Sequence, residues 1–230
     1  MSRYVLKYTK EGYMRYISHL DTAQLFRRAF SRINVRLKHS EGFNPHPKLS
    51  FMQPLSLGYS STGEYLEFET LQPQDLNELK DKLNGTMPQG VSILAIRPED
   101  GKKAVSARVF SASYAVMLKW ETNFERFQAD MNQFLAQSEI LRERKQKTGK
   151  IVTQDIRPMI LAVNMAKLDE EVIVLNLRVT ASSNSTLNPE VFVKCFCDFS
   201  GRTYDPELTR YCRTEMYLKP EGSDKEIPII

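Results

Sequence analysis

The chain has 230 residues, 26% of them charged and 41% hydrophobic, a composition that supports a self-sufficient core and excludes a largely disordered or fibrous chain. The net charge of +4 is too small to argue for nucleic acid by itself, but it is unevenly spread. In the first 48 residues Arg3, Lys7, Lys10, Arg15, Arg27, Arg28, Arg32, Arg36, Lys38 and Lys48 face only Glu11, Asp21 and Glu41, a local cationic excess.

Residues 3–9 read as a strand rich in Tyr, Val and Leu. Ser18 has the character of a helix N-cap, with Asp21 three residues on to answer free backbone amides. The helix should run to about Ile33, with Ala23, Phe26, Ala29, Phe30 and Ile33 on one face and Arg28 and Arg32 on another. A short strand at 35–37 precedes an irregular stretch, 39–51. Segment 63–70 alternates as a strand, 73–83 carries a leucine stripe of helical period, and 91–96 reads as another strand.

The second half repeats this rhythm. Strand 108–120 leads to an amphipathic helix at 124–135, a weaker strand at 140–144, a strongly β-branched strand at 172–179, a helix at 189–199 and a last strand at 211–218. Segment 151–165 interrupts the pattern. The expectation is an α+β fold, an α/β sandwich of two tandem ferredoxin-like βαββαβ units with antiparallel sheets. Their boundaries are placed at 1–103 and 104–220, with 221–230 as a flexible tail. No run of signal-peptide or membrane-spanning length is found, and three cysteines make no even disulfide framework. A cytoplasmic protein without membrane partners is therefore expected.

The three histidines, His19, His39 and His46, all lie in the basic first fifth of the chain. His19, four residues before Ala23, should project toward the sheet from the first helical turn, as a neutral ring bonded to the sheet end or as a structural anchor. In Gly42-Phe43-Asn44-Pro45-His46-Pro47-Lys48 the two prolines restrict both themselves and the residues before them. Asn44, His46 and Lys48 are thus held in fixed directions, either for recognition or as a crossover packed by Phe43 and Phe51. The histidine spacing lacks the close ligand pairs of zinc sites, so no metal or cofactor is expected.

On the helix at 189–199, Val191, Phe192, Cys195, Phe196 and Phe199 should share the core face, with Cys197 pointing elsewhere. Arg142, Arg144, Lys145 and Lys147 form a basic turn which, with Arg27, Arg28 and Arg32, is a candidate phosphate-binding surface; a solvated tip is the simpler reading. Asp155 and Arg157 alternate onto one side of an extended segment, where they can pair with each other or grip a ligand.

Several segments together resemble the radical SAM-linked proteins: Arg15-Tyr16-Ile17-Ser18-His19-Leu20-Asp21, the stretch from Gly42 through Phe51, Pro54-Leu55-Ser56-Leu57-Gly58, Gly63-Glu64-Tyr65-Leu66 and Asp155-Ile156-Arg157-Pro158. The resemblance implies an accessory partner of a radical SAM enzyme with a B12-binding-type domain, encoded beside it or fused to its C-terminus. Neighbouring ribosomal-protein and ribonuclease genes in that family point to RNA or a ribosomal component. The cysteines lack the C-x3-C-x2-C spacing of a cluster-binding radical enzyme.

A substrate-presenting accessory protein is the leading expectation, with His19, Asp21, Asn44, His46, Lys48, Asp155 and Arg157 as ligand-binding candidates. One alternative is an RNA-modifying or RNA-processing enzyme using His19 or His46 as acid or base. Pseudouridine synthases and CRISPR repeat endoribonucleases also pair ferredoxin-like units, but the Arg-Thr-Asp stretch of the former and the Gly-rich C-terminal loop of the latter are absent. The other alternative is an interaction scaffold whose proline–histidine loop docks a partner.

Overall fold

The computed structural model describes residues 2–120, 123–145 (backbone only at Lys145), 149–220, 222–223 and 225–230. The chain is α+β and divides into two compact units, Met1–Phe110 with Arg213–Ile230, and Ser111–Cys212. The divisions thus fall at 110 and 212, where the sequence placed them at 103 and 220.

The first unit runs β1 (Ser2–Lys10), α1 (His19–Arg32), β2 (Leu49–Phe51), β3 (Ser60–Thr70), α2 (Leu76–Asn84) and β4 (Ile93–Pro98). Antiparallel pairing sets Leu6 opposite both Leu66 and Ile96, and Ser50 opposite Glu67, giving the order β4-β1-β3-β2. Because strand side chains alternate, Tyr4, Leu6 and Tyr8 share a face with Leu66 and Phe68. That face packs against Phe26, Ala29 and Phe30 of α1 and Leu79 and Leu83 of α2. Each fully buried phenylalanine there contributes roughly 1.5–3 kcal/mol.

Helix α1 starts where the sequence indicates. The Ser18 hydroxyl accepts from the Asp21 amide at 3.1 Å, and the Asp21 carboxylate accepts from the Ser18 amide, completing a capping box. Its end carries a Schellman cap: Asn34 sits at φ +57°, Val35 N–H donates to the Phe30 carbonyl and Asn34 N–H to that of Ser31. The expected strand at 35–37 is reduced to a bridge between Leu37 and Thr70. The supposedly irregular stretch supplies β2 instead, because Leu49, Ser50 and Phe51 lie in register with β3.

The second unit contains most of β5 (Val109–Lys119), then α3 (Phe124–Leu135), β6 (Leu141–Lys145), β7 (Ile151–Asp155), β8 (Ile160–Lys167), β9 (Val172–Thr180), α4 (Pro189–Phe199) and the start of β10 (Thr209–Leu218). Strand β9 pairs antiparallel with β5 and β8, while β6 and β7 form a hairpin of their own. The weak strand expected at 140–144 is therefore one arm of that hairpin, and β8, hidden in the interrupting segment, is the strand that joins β9. Arg142, Glu143 and Arg144 suit a solvated hairpin better than a sheet interior.

Phe127 and Phe134 of α3 meet Phe196 of α4 at centroid distances of 5.3 and 5.5 Å, and Trp120 stacks on Phe196. Helix α4 buries Pro189, Phe192, Val193, Phe196 and Cys197. The cysteine expectation thus reverses. The core stripe follows 189, 193 and 197, leaving Cys195 half-buried and Phe199 exposed. Burial pushes the Cys197 thiol up to about 11, with the Asp198 charge adding to the rise.

The segment expected to be a flexible tail carries β11 (Ile227–Pro228), which pairs with Tyr217 and Leu218 of β10. Ile229 is buried, and its carbonyl accepts from Arg97 Nε at 2.9 Å. Its apolar end, Ile227-Pro228-Ile229-Ile230, outweighs the polar residues that precede it.

Candidate functional site

In the first unit, α1 and the segment after it carry a cationic surface. Arg27, Arg28, Arg32 and Arg36 are exposed, and among the described residues none is ion-paired with a carboxylate. They divide between two flanks. Arg28 and Arg32 line a groove with Met14, Ile17, Leu20 and Asp21, whereas Arg27 lines a hollow with Arg36 and His39. Successive Arg27 and Arg28 are turned about 100° apart by the helical period, which accounts for the split.

The proline–histidine stretch is a projecting hairpin. His39 bridges Pro47, Ser40 N–H donates to the His46 carbonyl at 2.8 Å, and the Ser40 hydroxyl accepts from His46 N–H at 3.0 Å. Gly42 turns the tip at φ +123°, a conformation closed to residues with a β-carbon. Asn44 and His46 are exposed, and so is Phe43, which the crossover reading of this loop would have packed. Phe51 does pack, against Tyr8 and Phe26.

His19 departs from its expected place. His19 is exposed rather than turned into the sheet face, and its ring stands edge-on to Phe51 at 5.2 Å, while Phe51 itself packs on Tyr8 and Phe26. Asp21 is engaged by Ser18, whose hydroxyl donates to it at 2.6 Å. Lys48 joins Lys38 in pairing with Glu69, at 3.4 and 3.5 Å. The hollow nearest the hairpin is bounded by His39 and Pro47, with neither His19, Asn44 nor His46 in its lining.

In the second unit, Asp155 and Arg157 are occupied by the backbone. Asp155 Oδ1 accepts from the amides of Ile140 at 2.8 Å and Arg157 at 2.9 Å, and Arg157 Nε donates to the Leu135 carbonyl at 3.0 Å. Together they fasten the β6–β7 hairpin to the end of α3. Arg142 donates twice to the Gln154 side-chain oxygen, at 3.1 and 2.7 Å, and Arg144 is exposed. Lys147 and the side chain of Lys145 lie outside the described residues.

A buried polar cluster in the first unit was not foreseen. Arg213, 1% exposed, makes a two-pronged pair with Glu64 at 2.7 and 2.6 Å and donates to the Gln53 carbonyl. The amine of buried Lys10 donates to the Ile17 carbonyl at 2.8 Å, and burial lowers its pKa. Burial, with the Glu64 charge second, raises the Tyr8 phenol. This cluster gives the motif Gly63-Glu64-Tyr65 a structural meaning. A β-carbon at Gly63 would lie 2.4 Å from the Thr214 carbonyl oxygen, Glu64 holds Arg213, and Tyr65 donates to Glu215. Likewise Gly58 N–H donates to the Arg15 carbonyl, tying two of the other motifs together.

Among the described residues no three His, Cys, Asp or Glu side chains gather at metal-binding distance, and no helix is long and apolar enough to cross a membrane. A comparison with curated proteins returned no match. A chain in a crystal structure of a Cbf5–Nop10–Gar1 complex is similar in fold, with a TM-score of 0.53 and 10% identity over 93% of this chain and 48% of that one. The present chain thus spans about half the length of that protein. Residues 3–189 match a family model described as "Uncharacterized protein conserved in bacteria (DUF2344)", and the chain belongs to that family.

Proposed function

We propose that this chain is a non-catalytic cytoplasmic accessory protein that binds RNA, or an RNA-bearing ribosomal component, through α1 and presents it to a radical SAM enzyme with a B12-binding-type domain. The observation that carries the binding half is the set of exposed guanidiniums at Arg27, Arg28 and Arg32, without carboxylate partners among the described residues. Guanidiniums already paired inside a protein release no counterions on meeting a phosphate backbone; unpaired ones do. The radical SAM half rests on the resemblance of the motifs around Ser18, Pro45–Pro47, Gly63 and Asp155. We also read each unit as ferredoxin-like. Support comes from the order β4-β1-β3-β2 around two helices, and from the antiparallel run β5-β9-β8 with α3 and α4 in the second unit.

The acid–base alternative has less support. Neither His19 nor His46 has a carboxylate hydrogen-bonded to its ring among the described residues, and Asp21 serves the helix cap. An orienting carboxylate that would fix either imidazole as a base is thus not part of this arrangement of the described residues.

RNA binding should be measured by fluorescence anisotropy at low salt, with Arg28→Ala/Arg32→Ala as the weakened variant. Failure of structured and single-stranded RNA alike to bind would remove RNA from the account. Co-purification with the radical SAM enzyme, for the native chain and for Phe43→Ser at the exposed hairpin tip, separates the roles. Loss of the enzyme only in Phe43→Ser assigns the tip to partner docking, and no co-purification by either removes the partnership.

A further inference from the structure

The hollow on the Arg27 flank of α1 has features that a general RNA surface does not require. Its volume is about 680 Å³, and Arg27, Arg36 and His39 face it alongside Phe30, Val35 and Leu71. No carboxylate lines it, and neither arginine is ion-paired among the described residues. His39 Nδ1 lies 3.2 Å from the Leu37 carbonyl. A ring that donates from Nδ1 to that carbonyl offers a second N–H, at Nε2, to an anion only as the imidazolium.

Every wall is fixed by backbone bonds. The Schellman cap sets Asn34 and Val35, and it occupies the Phe30 and Ser31 carbonyls that would otherwise present negative charge. Leu71 N–H donates to the Arg36 carbonyl at 3.1 Å and Lys38 N–H to that of Glu69 at 2.9 Å, which clamps 36–38 to the end of β3. The His39–Pro47 bridge closes the far side. The backbone that carries Arg27, Arg36 and His39 is therefore set before any anion arrives, and only the side chains remain to be ordered.

We propose that this hollow binds a nucleotide phosphomonoester, with the phosphate on Arg27, Arg36 and His39 and the sugar or base against Val35 and Leu71. A passing phosphodiester carries one charge and offers two free oxygens. A monoester carries about −1.5 to −2 and three acceptor oxygens, a closer match to two guanidiniums and an imidazole lining one hollow. The reading deepens the RNA proposal, on which it rests only where the monoester is a strand end; a free mononucleotide would use the same contacts.

Anisotropy with one oligoribonucleotide sequence bearing a 5′-phosphate, a 3′-phosphate or only hydroxyl ends tests it, with AMP and a phosphoserine peptide titrated separately. One phosphorylated end should bind about tenfold more tightly than the hydroxyl form, the scale of a hydrogen-bonded charge pair. Arg36→Ala should erase that preference, so that all three ends bind with one common affinity. Arg36→Lys, which keeps the charge but not the fork, should retain part of it. AMP that competes for the phosphorylated strand identifies a free-nucleotide site, and preference for the strand end without AMP binding identifies a terminus site. Equal affinity for all three ends together with no AMP binding overturns the proposal while leaving RNA binding intact. AMP binding that Arg36→Ala abolishes, in a protein that binds no RNA, supports the hollow and sinks the RNA reading. A phosphopeptide that outcompetes both nucleotide forms also overturns it.

Discussion

Two corners of this molecule use the same side-chain chemistry to opposite ends. At the junction of α3 with the β6–β7 hairpin, Asp155 and Arg157 spend their polar atoms on the amides of Ile140 and Arg157 and on the Leu135 carbonyl. On α1, Arg27, Arg28 and Arg32 are exposed and no carboxylate among the described residues pairs with them. Residue type does not separate the two groups; the state of each hydrogen-bonding atom does. Groups committed to backbone partners hold the fold, and groups left to water are available to a ligand.

The comparison is broken most severely at its committed extreme. Arg213→Ala strips buried Glu64 of its two-pronged partner, leaving it the nearby charge of Lys10, and should cost about 3–5 kcal/mol, read as a lower urea midpoint. An Arg213→Ala protein of native stability would show that commitment does not mean stabilisation here. Next, Asp155→Ala deprives two amides of their acceptor and should cost about 1–3 kcal/mol, without altering RNA affinity in protein that remains folded. Lost affinity at unchanged stability would move Asp155 to the recognition side.

A smaller, pH-dependent effect sharpens the same contrast at Glu99. Burial alone would raise its carboxyl, but the Gly101 amide, Arg108 and Arg97 outweigh it and hold the group below its usual range. A carboxylate with a depressed folded value contributes fully above its unfolded value, near about 4.3. The contribution fades as pH falls through the lower, folded value. Stability of the native chain should therefore drop over that acid range, and Glu99→Gln should flatten that part of the profile; an identical profile for both would remove Glu99 from acid unfolding.

Much of the frame was legible in local sequence, because it depends on neighbours. Ser18 with Asp21 gave the start of α1, apolar and β-branched content located β1 and β9, and alternation located β3. What escaped was set by distant residues. Lys48 finds Glu69 only because β2 lies on β3, and Glu64 finds Arg213 149 residues away. His19 was expected to face the sheet because helical spacing says nothing about Phe51 of β2, against whose ring the exposed imidazole stands. Of the candidate set, the arginines of α1, which the structure leaves exposed, are singled out by charge alone. Arg36 and His39 were not proposed as a site, since their shared hollow exists only once the Schellman cap turns the chain.

The slope of binding affinity against salt for a single-stranded RNA, in the native chain and in Arg28→Ala/Arg32→Ala, bears most directly on the claim that unpaired cations on α1 meet phosphates. Two lost phosphate contacts should make the logarithmic slope shallower by roughly 1.4, with the folded stability of the variant preserved. A slope that does not move would mean that those guanidiniums touch solvent in the complex as they do in the free protein.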